Sequence, residues 1–311
     1  MILCCGEALI DFVPIPGERA YRPLAGGSVM NIAVALGRLE VPVGFFCKLS
    51  TDFFGDLLAA HIKGNGVDIS LCPRVERPTT LAFVSLPEKD STEPQFAFYA
   101  NNAVDRSLEI NELPAELDNR VRALHFGSIS LVLEPGASAL ETLMERESNR
   151  RIISLDPNIR PAVISNRDAY RQRFESWLAY VDILRLSTAD LDWLYPGTDW
   201  HALLPGWIES GVKLVLVTEG ARGASGVSSS GEIVFVPAIQ VEVSDTVGAG
   251  DTFLAGALAY LHDHNLLYDR SRLASLPTDD MRTCLEYASR AAAINCTRAG
   301  ANPPYKHEMV S

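Results

Sequence analysis

The sequence is poor in the features that most quickly assign a chain of 311 residues. It has no run of about 18 apolar residues, so no membrane span is expected. No GxxxxGK[ST] stretch is present, which excludes a Walker-type phosphate loop. No GxGxxG follows the first apolar segment, which argues against a dinucleotide-binding dehydrogenase. The nucleophile-elbow pattern GxSxG is missing as well. Positive charge is scarce: 27 Lys and Arg against 39 Asp and Glu leave a net charge of −12. That balance disfavours nucleic acid or an anionic membrane as partner. The six cysteines, at 4, 5, 47, 72, 284 and 296, form no CxxC pair and no zinc spacing. They read as reduced small hydrophobes of a cytoplasmic protein. Histidine is equally sparse. His262 and His264 are two apart on a helix end and diverge, and His125 lies inside an apolar strand, which marks it as a core residue. Asn295-Cys296-Thr297 fits a glycosylation sequon, but a cytoplasmic chain gives it no meaning.

What is present is a hydrophobic fraction of 47% with 21% charge, the composition of a globular protein with a substantial core. The start, Met1 to Glu7, lacks a basic leader and reads as part of a first strand, Ile2 to Phe12, with Asp11 near its carboxyl end. Val41–Leu49, Val121–Phe126, Arg151–Leu155, Ile183–Leu186 and Leu214–Val217 read as further strands. Phe53–Gly64 (opened by Asp52), Glu134–Arg146, Ala169–Tyr180 and Cys284–Cys296 read as helices. Such alternation implies a parallel sheet covered by helices on both faces, an α/β fold. Thr79–Leu86 and Gln95–Tyr99, joined by a polar turn from Pro87 to Pro94, break the rhythm and read as an antiparallel hairpin. With Pro14–Pro23 they suggest a small lid subdomain, inserted from about 12–24 and 78–103 into a single domain spanning 1–311. Gly223–Gly231 reads as a hairpin after the strand ending at Thr218.

Two glycine turns open helices. Gly26-Gly27-Ser28 precedes an amphipathic helix with Asn31 in its first turn, and Ser28 is its expected N-cap. Gly248-Ala249-Gly250-Asp251 follows an alternating run, Ile239–Val243, that reads as a strand, and precedes Leu254–Leu261, apolar on nearly every face. Free N–H groups at a buried helix start hold an anion, most often a phosphate. Asp251 sets a carboxylate beside that point, as a phosphoryl transfer onto a hydroxyl requires. An Asp at a helix start is also a common cap, and both readings stand for this stretch alone. The remaining polar residues at strand ends and turns are Asp11, Asn31, Arg160 and Thr218-Glu219-Gly220. Together they suit a ligand rich in hydroxyls at one end and a nucleotide at the other.

These stretches resemble the ribokinase/PfkB carbohydrate kinases, and within them the bacterial fructokinases. The likeness runs from Gly6-Glu7-Ala8-Leu9-Ile10-Asp11 to Arg298-Ala299-Gly300-Ala301. Asp245-Thr246-Val247-Gly248-Ala249-Gly250-Asp251-Thr252-Phe253 is similar to the family's C-terminal signature, Gly26–Leu39 to its N-terminal one, and Asp156-Pro157-Asn158-Ile159-Arg160-Pro161 to fructokinase-like members. The resemblance implies a Rossmann-like three-layer α/β/α core with a β-sheet lid, and transfer of the ATP γ-phosphoryl to a primary hydroxyl of a ketohexose. It implies Asp251 as base and Gly248, Ala249 and Gly250 as anion hole. Asp11, Gly26, Gly27, Asn31 and Arg160 hold the sugar, with Phe98 or Tyr99 closing over it. Ser187, Thr218, Gly220, Gly223 and Ser289 line ATP. It further implies Mg²⁺ with the nucleotide, a monovalent cation such as K⁺ by Asp245 and Gly300, and a homodimer through the lid. Ser187-Thr188-Ala189-Asp190 departs from the family's Asn-x-x-Glu, which puts the magnesium-linked role of Asp190 in question. Rival readings are a 2-keto-3-deoxygluconate or nucleoside kinase and a non-catalytic sugar-binding regulator on the same fold. The stretch Tyr99–Ala103, neutral and with no positive charge before Arg106, favours a neutral sugar over a sugar acid.

Overall fold

The computed structural model describes residues 1–15, 17–85 and 95–310. In chain order the strands are β1 (Ile2–Cys5), β2 (Leu9–Pro14), β3 (Tyr21–Gly26), β4 (Val43–Phe46), β5 (Leu49–Ser50), β6 (Arg74–Val75), β7 (Leu81–Ser85), β8 (Gln95–Tyr99), β9 (Ala123–Gly127), β10 (Ile152–Asp156), β11 (Ile183–Ser187), β12 (Leu214–Thr218), β13 (Gly223–Ser228) and β14 (Val234–Pro237). The helices are α1 (Ser28–Arg38), α2 (Phe53–Gly64), α3 (Gly136–Ser148), α4 (Arg167–Trp177), α5 (Thr188–Leu194), α6 (Leu204–Ser210), α7 (Ala249–Asp263), α8 (Arg270–Ala274) and α9 (Thr278–Cys296).

Eight strands form one sheet in the order β14-β13-β12-β11-β10-β9-β1-β4. From β4 to β12 neighbours are parallel, and β13 and β14 close one side antiparallel. Strands buried on both faces read as near-continuous apolar runs, as in Ile2-Leu3-Cys4-Cys5. Successive side chains on a strand point to opposite faces. Ile2 and Cys4 accordingly join a core with α1, α7 and α9, while Leu3 and Cys5 join one with α3 and α4. Helix α7 is the central inner helix: every residue from Asp251 to Leu261 is buried. All six cysteines are unpaired. Among the described residues no helix is long and apolar enough to cross a membrane.

A second sheet has the order β3-β2-β7-β8, with β7 and β8 antiparallel. The expected turn from Pro87 to Pro94, with Leu86 before it, lies outside the described residues. The expectation of one strand from Ile2 to Phe12 is corrected here. The chain leaves the core sheet at Gly6, where a side chain would meet Val29 Cγ2 at 2.5 Å. It re-enters as β2, paired to β3 and β7. Asp11 therefore belongs to the smaller sheet, which begins at Leu9 rather than near residue 12.

Ile239–Val243 is not a strand. The edge strand β14 ends at Pro237, the last rung of its ladder on β13 is Ala238 N–H to Arg222 O at 3.1 Å, and residues 239–243 pair with no strand among the described residues. The apolar alternation beyond it has another cause, since Ile239, Val241 and Val243 line a cavity.

Candidate active site

The carboxyl ends of the parallel strands, where open α/β sheets bind ligands, carry the site. Helix α7 starts there. Its N-cap, Gly248, is left-handed (φ 72°), a conformation that glycine adopts without steric cost. The Ala249 N–H is spent on Thr246 O at 3.2 Å, so the anion-binding groups left at this start are the N–H groups of Gly250 and Asp251, which have no acceptor within the helix.

Asp251 is 5% exposed and accepts three side-chain hydrogen bonds. Ser28 Oγ donates to Oδ1 at 2.7 Å, Asn158 Nδ2 to the same oxygen at 3.1 Å, and Asn31 Nδ2 to Oδ2 at 2.9 Å. Its side chain caps none of its own helix's amides. Three converging donors orient the carboxylate and leave lone pairs for one further proton donor.

Ser28 is not the N-cap of α1. Gly27 takes that place, with no side-chain cap, and its carbonyl accepts the Asn31 N–H at 2.8 Å. The cap comes from outside the helix. Glu7 Oε1 accepts the N–H groups of Ser28 at 2.8 Å and Val29 at 3.4 Å, and this frees the Ser28 hydroxyl for Asp251.

On the side toward the smaller sheet, Asp11 Oδ2 lies against Gly26, where a side-chain carbon would stand 2.0 Å away. Burial pushes the Asp11 carboxyl up to about 7; the charge of Arg160 opposes that and the charge of Asp251 adds to it. Arg160 folds over its own loop, donating to the carbonyls of Asn158 (3.3 Å) and Ile159 (3.1 Å). Phe98 packs with Leu9 and Ala82, on the face of the sheet that carries Asp11. Tyr99 faces the other way. It is 64% exposed, with its ring 5.5 Å from that of Phe83, and the expectation that it closes over the sugar is corrected: successive strand residues alternate faces, so only Phe98 looks inward.

On the other side of Asp251 lies a cavity of about 450 Å³. Ser187, Thr218, Gly220, Gly223 and Ser289 all line it, together with Ala249 and Gly250. Ile239, Val241, Val243 and Phe253 supply apolar wall, a suitable bed for a flat base.

Asp190 stays out of that cavity. One carboxylate oxygen accepts the Ile159 N–H at 2.7 Å, and the other accepts the Ser187 N–H at 2.8 Å and the Ser187 hydroxyl. It braces the Asn158–Arg160 loop and caps α5, which corrects the expectation of a magnesium-facing carboxylate. Its short side chain reaches these amides and is satisfied by them. Asp245 ties two loops together, accepting from Val247 N–H at 3.0 Å and Gly300 N–H at 2.8 Å. Among the described residues no group of three or more His, Cys, Asp or Glu stands ready for a metal ion. His125 is fully buried, with Nδ1 against Ser154 Oγ at 3.1 Å, and burial holds its pKa at about 3.

Four residues escaped the sequence reading: Glu7 as the outside cap of α1, Ser28 and Asn158 as partners of Asp251, and Arg185, which lines the cavity. Asn158 stood inside a recognised stretch, Asp156–Pro161. Arg185 carried a signal of its own, a charge in the middle of the apolar strand Ile183–Leu186.

Free amides for an anion at the wall of an apolar cavity, beside a carboxylate close enough to Asp11 to act on its charge, are the equipment of a phosphotransferase acting on an alcohol. The comparisons with known proteins narrow the class. Residues 1–308 match the pfkB family carbohydrate kinase, and the chain belongs to that family. It is 44% identical over 285 residues to a fructokinase of Rhizobium leguminosarum bv. trifolii, covering 91% of this chain and 86% of the relative. The structure of a fructokinase from Xylella fastidiosa with bound ATP is similar with a TM-score of 0.90 at 30% identity, over 99% of this chain and 96% of that one. A fructokinase from Vibrio cholerae O395, solved with fructose, ADP and calcium ion, shares the fold with a TM-score of 0.83 at 24% identity, over 96% and 94% of the two chains. The protein is a sugar kinase of the α/β, ribokinase-like fold.

Proposed function

We propose that this sugar kinase is an ATP-dependent fructokinase, with Asp251 as the base. The observation that carries this reading is the placement of Asp251, held by Ser28, Asn31 and Asn158 next to the cavity-lining Gly250 and near enough to Asp11 to act on its charge. Fructose is the acceptor favoured by the 44% identity to a bacterial fructokinase and the 30% identity to a second one. In the proposed reaction a primary hydroxyl of the sugar attacks the γ-phosphorus of ATP, its proton passes to Asp251, and ADP leaves with the electron pair of the broken P–O bond. Gly248, Ala249 and Gly250 shape the anion hole, with the Gly250 and Asp251 N–H groups donating to the transferring phosphoryl group. Asp11, Gly26, Gly27, Asn31 and Arg160 hold the sugar, with Phe98 over it. Ser187, Thr218, Gly220, Gly223 and Ser289 hold ATP.

The smaller sheet acts as a lid on the domain of residues 1–311, and its closure keeps water from the phosphoryl group. Mg²⁺ supplies charge neutralisation on the phosphates; with Asp190 turned away, the phosphates and water are its main ligands. The carboxylate of Asp245, beside Gly300, fits a hard monovalent cation such as K⁺, and the Vibrio cholerae protein has also been solved with a potassium ion. We also propose a homodimer through the lid. The face opposite Asp11 carries Tyr21, Phe83 and Tyr99 beside Phe53, and β3 and β8 each pair on one side only among the described residues. Unpaired cysteines and the need for ATP suit the cytoplasm as its place of work.

Coupled ADP release across fructose, ribose, 2-keto-3-deoxygluconate, adenosine and glucose tests the substrate. Fructose is expected to give the highest kcat/KM. A higher value for another acceptor contradicts the assignment, and sugar binding without ADP release points to a sugar-binding regulator.

A further inference from the structure

Arg185 is out of place for an ordinary residue of a central strand. It lies on β11 between Leu184 and Leu186, and it is 4% exposed. Its guanidinium reaches the end of the sheet where the site lies. Nη1 donates to Asp156 Oδ2 at 2.7 Å, and Nη2 donates to the Thr218 hydroxyl. Nε has no partner among the described residues. Both Nη atoms face the anion-binding turn: a methyl group added at Gly250 would stand 2.7 Å from Nη2 and 3.0 Å from Nη1. Arg185 and Gly250 share the wall of the cavity that also exposes Thr218.

A buried cation with an unsatisfied donor is costly, and an apolar residue of similar volume serves a strand interior at least as well. Stability alone is therefore a poor reason for a guanidinium here. Burial works against its charge, but Asp156, Asp190 and Asp251 outweigh burial and hold its pKa above the ordinary value. The charge is permanent, and it is set beside the one turn where negative charge develops during transfer.

We propose that Arg185 is a further catalytic residue, whose guanidinium donates to a non-bridging oxygen of the phosphoryl group as it passes from ATP to the sugar. Asp156 and Thr218 hold the fork in place, and the missing side chain at Gly250 leaves the path open. The bond from the sugar oxygen to phosphorus forms while the bond to the ADP oxygen breaks. The sugar proton goes to Asp251, and Arg185 keeps its own protons throughout. This inference rests on the phosphoryl-transfer reading of the site.

The test compares wild type, Arg185→Met and Arg185→Lys. In Arg185→Met, kcat is expected to fall about 10²- to 10³-fold, the scale of losing one preorganised donor, while ADP affinity by calorimetry stays within about threefold. The second readout is the gain in ADP affinity on adding fluoroaluminate and fructose, which imitates the phosphoryl group in flight. Wild type is expected to show a large gain. Arg185→Lys, which keeps a charge but loses the fork, is expected to lose at least about tenfold of it. Unchanged kcat in a folded Arg185→Met protein overturns the proposal, and so does an undiminished fluoroaluminate gain in Arg185→Lys should the methionine variant not fold. Wild type without sugar-dependent turnover overturns the kinase reading and this proposal together, whereas wild-type turnover with insensitive variants removes Arg185 alone.

Discussion

The Ser28 hydroxyl donates to Asp251 Oδ1 at 2.7 Å, across 223 residues of sequence, and joins the first turn of α1 to the first turn of α7. The same hydroxyl accepts from Asn158 Nδ2 at 2.6 Å, so one serine connects both glycine turns to the Asp156–Pro161 loop. Ser28→Ala removes one of three donors from Asp251, the proposed base. A hydrogen bond to a charged group is worth about 1.5 kcal/mol, which converts to roughly tenfold in kcat. KM for ATP is expected to stay unchanged. Steady-state kinetics with kcat equal to wild type contradicts the positioning role.

With Asp11 in the proposed sugar site, an acid limb is expected in the pH profile. Burial raises its carboxyl to about 7, above the ordinary value, so the proton is retained until the pH passes about 7 and the ionised acceptor for sugar hydroxyls predominates only above it. kcat/KM for the sugar is thus expected to fall roughly tenfold from pH 8 to pH 6, following one ionisation of the free enzyme. Asp11→Asn lowers the plateau and flattens this limb. A limb of the same position in that variant assigns it to another group.

Gly250→Ala pushes a methyl group against Arg185 and displaces the guanidinium from the turn. Misplacement of catalytic groups by about 1 Å costs on the order of 10²-fold in rate. The expected result is that loss in kcat, with Tm little changed because the group displaced is the far end of a flexible side chain and alanine suits a helical first turn better than glycine. A fully active Gly250→Ala protein denies the close approach any function.

Glu7 caps α1 from a distance, and its loss leaves two buried amides without an acceptor. Glu7→Ala is expected to cost about 1–3 kcal/mol, seen as a fall in Tm of a few degrees. Glu7→Gln keeps an acceptor and costs less. Equal Tm for both variants shows that the cap is not what Glu7 supplies.

Tyr99→Ser on the lid and Phe53→Ser at the start of α2 beside it remove two highly exposed aromatics, at 64% and 72% exposure. Light scattering is expected to show dimer for wild type and a shift to monomer for the double variant. A monomeric wild type at all concentrations ends the dimer proposal.

Much of the architecture was legible because period and composition report burial directly. The uniformly apolar Leu254–Leu261 is the central inner helix, and Asp52 caps α2 through Gly55 N–H at 2.7 Å. The misread segments failed for a common reason: an apolar pattern has more than one source. Ile239–Val243 alternates because it walls a cavity, and Ile2–Phe12 is continuous because two strands of different sheets follow each other across a three-residue step. Site residues carried by turns were visible through their glycines. Glu7 and Arg185 were not singled out, since each acts through contacts far away in sequence. Tyr99 and Phe98 are neighbours that sequence alone left equivalent, and the register of β7 on β8 separates them.

The central claim is that Asp251 is the base. Its most direct test is Asp251→Asn, which keeps the shape of the side chain and one acceptor oxygen and removes its basicity. Turnover of fructose with ATP is measured beside calorimetric binding of fructose and ADP. The account predicts that kcat drops roughly 10²-fold or more, with both ligands bound about as in wild type. Near-normal turnover in Asp251→Asn would contradict it.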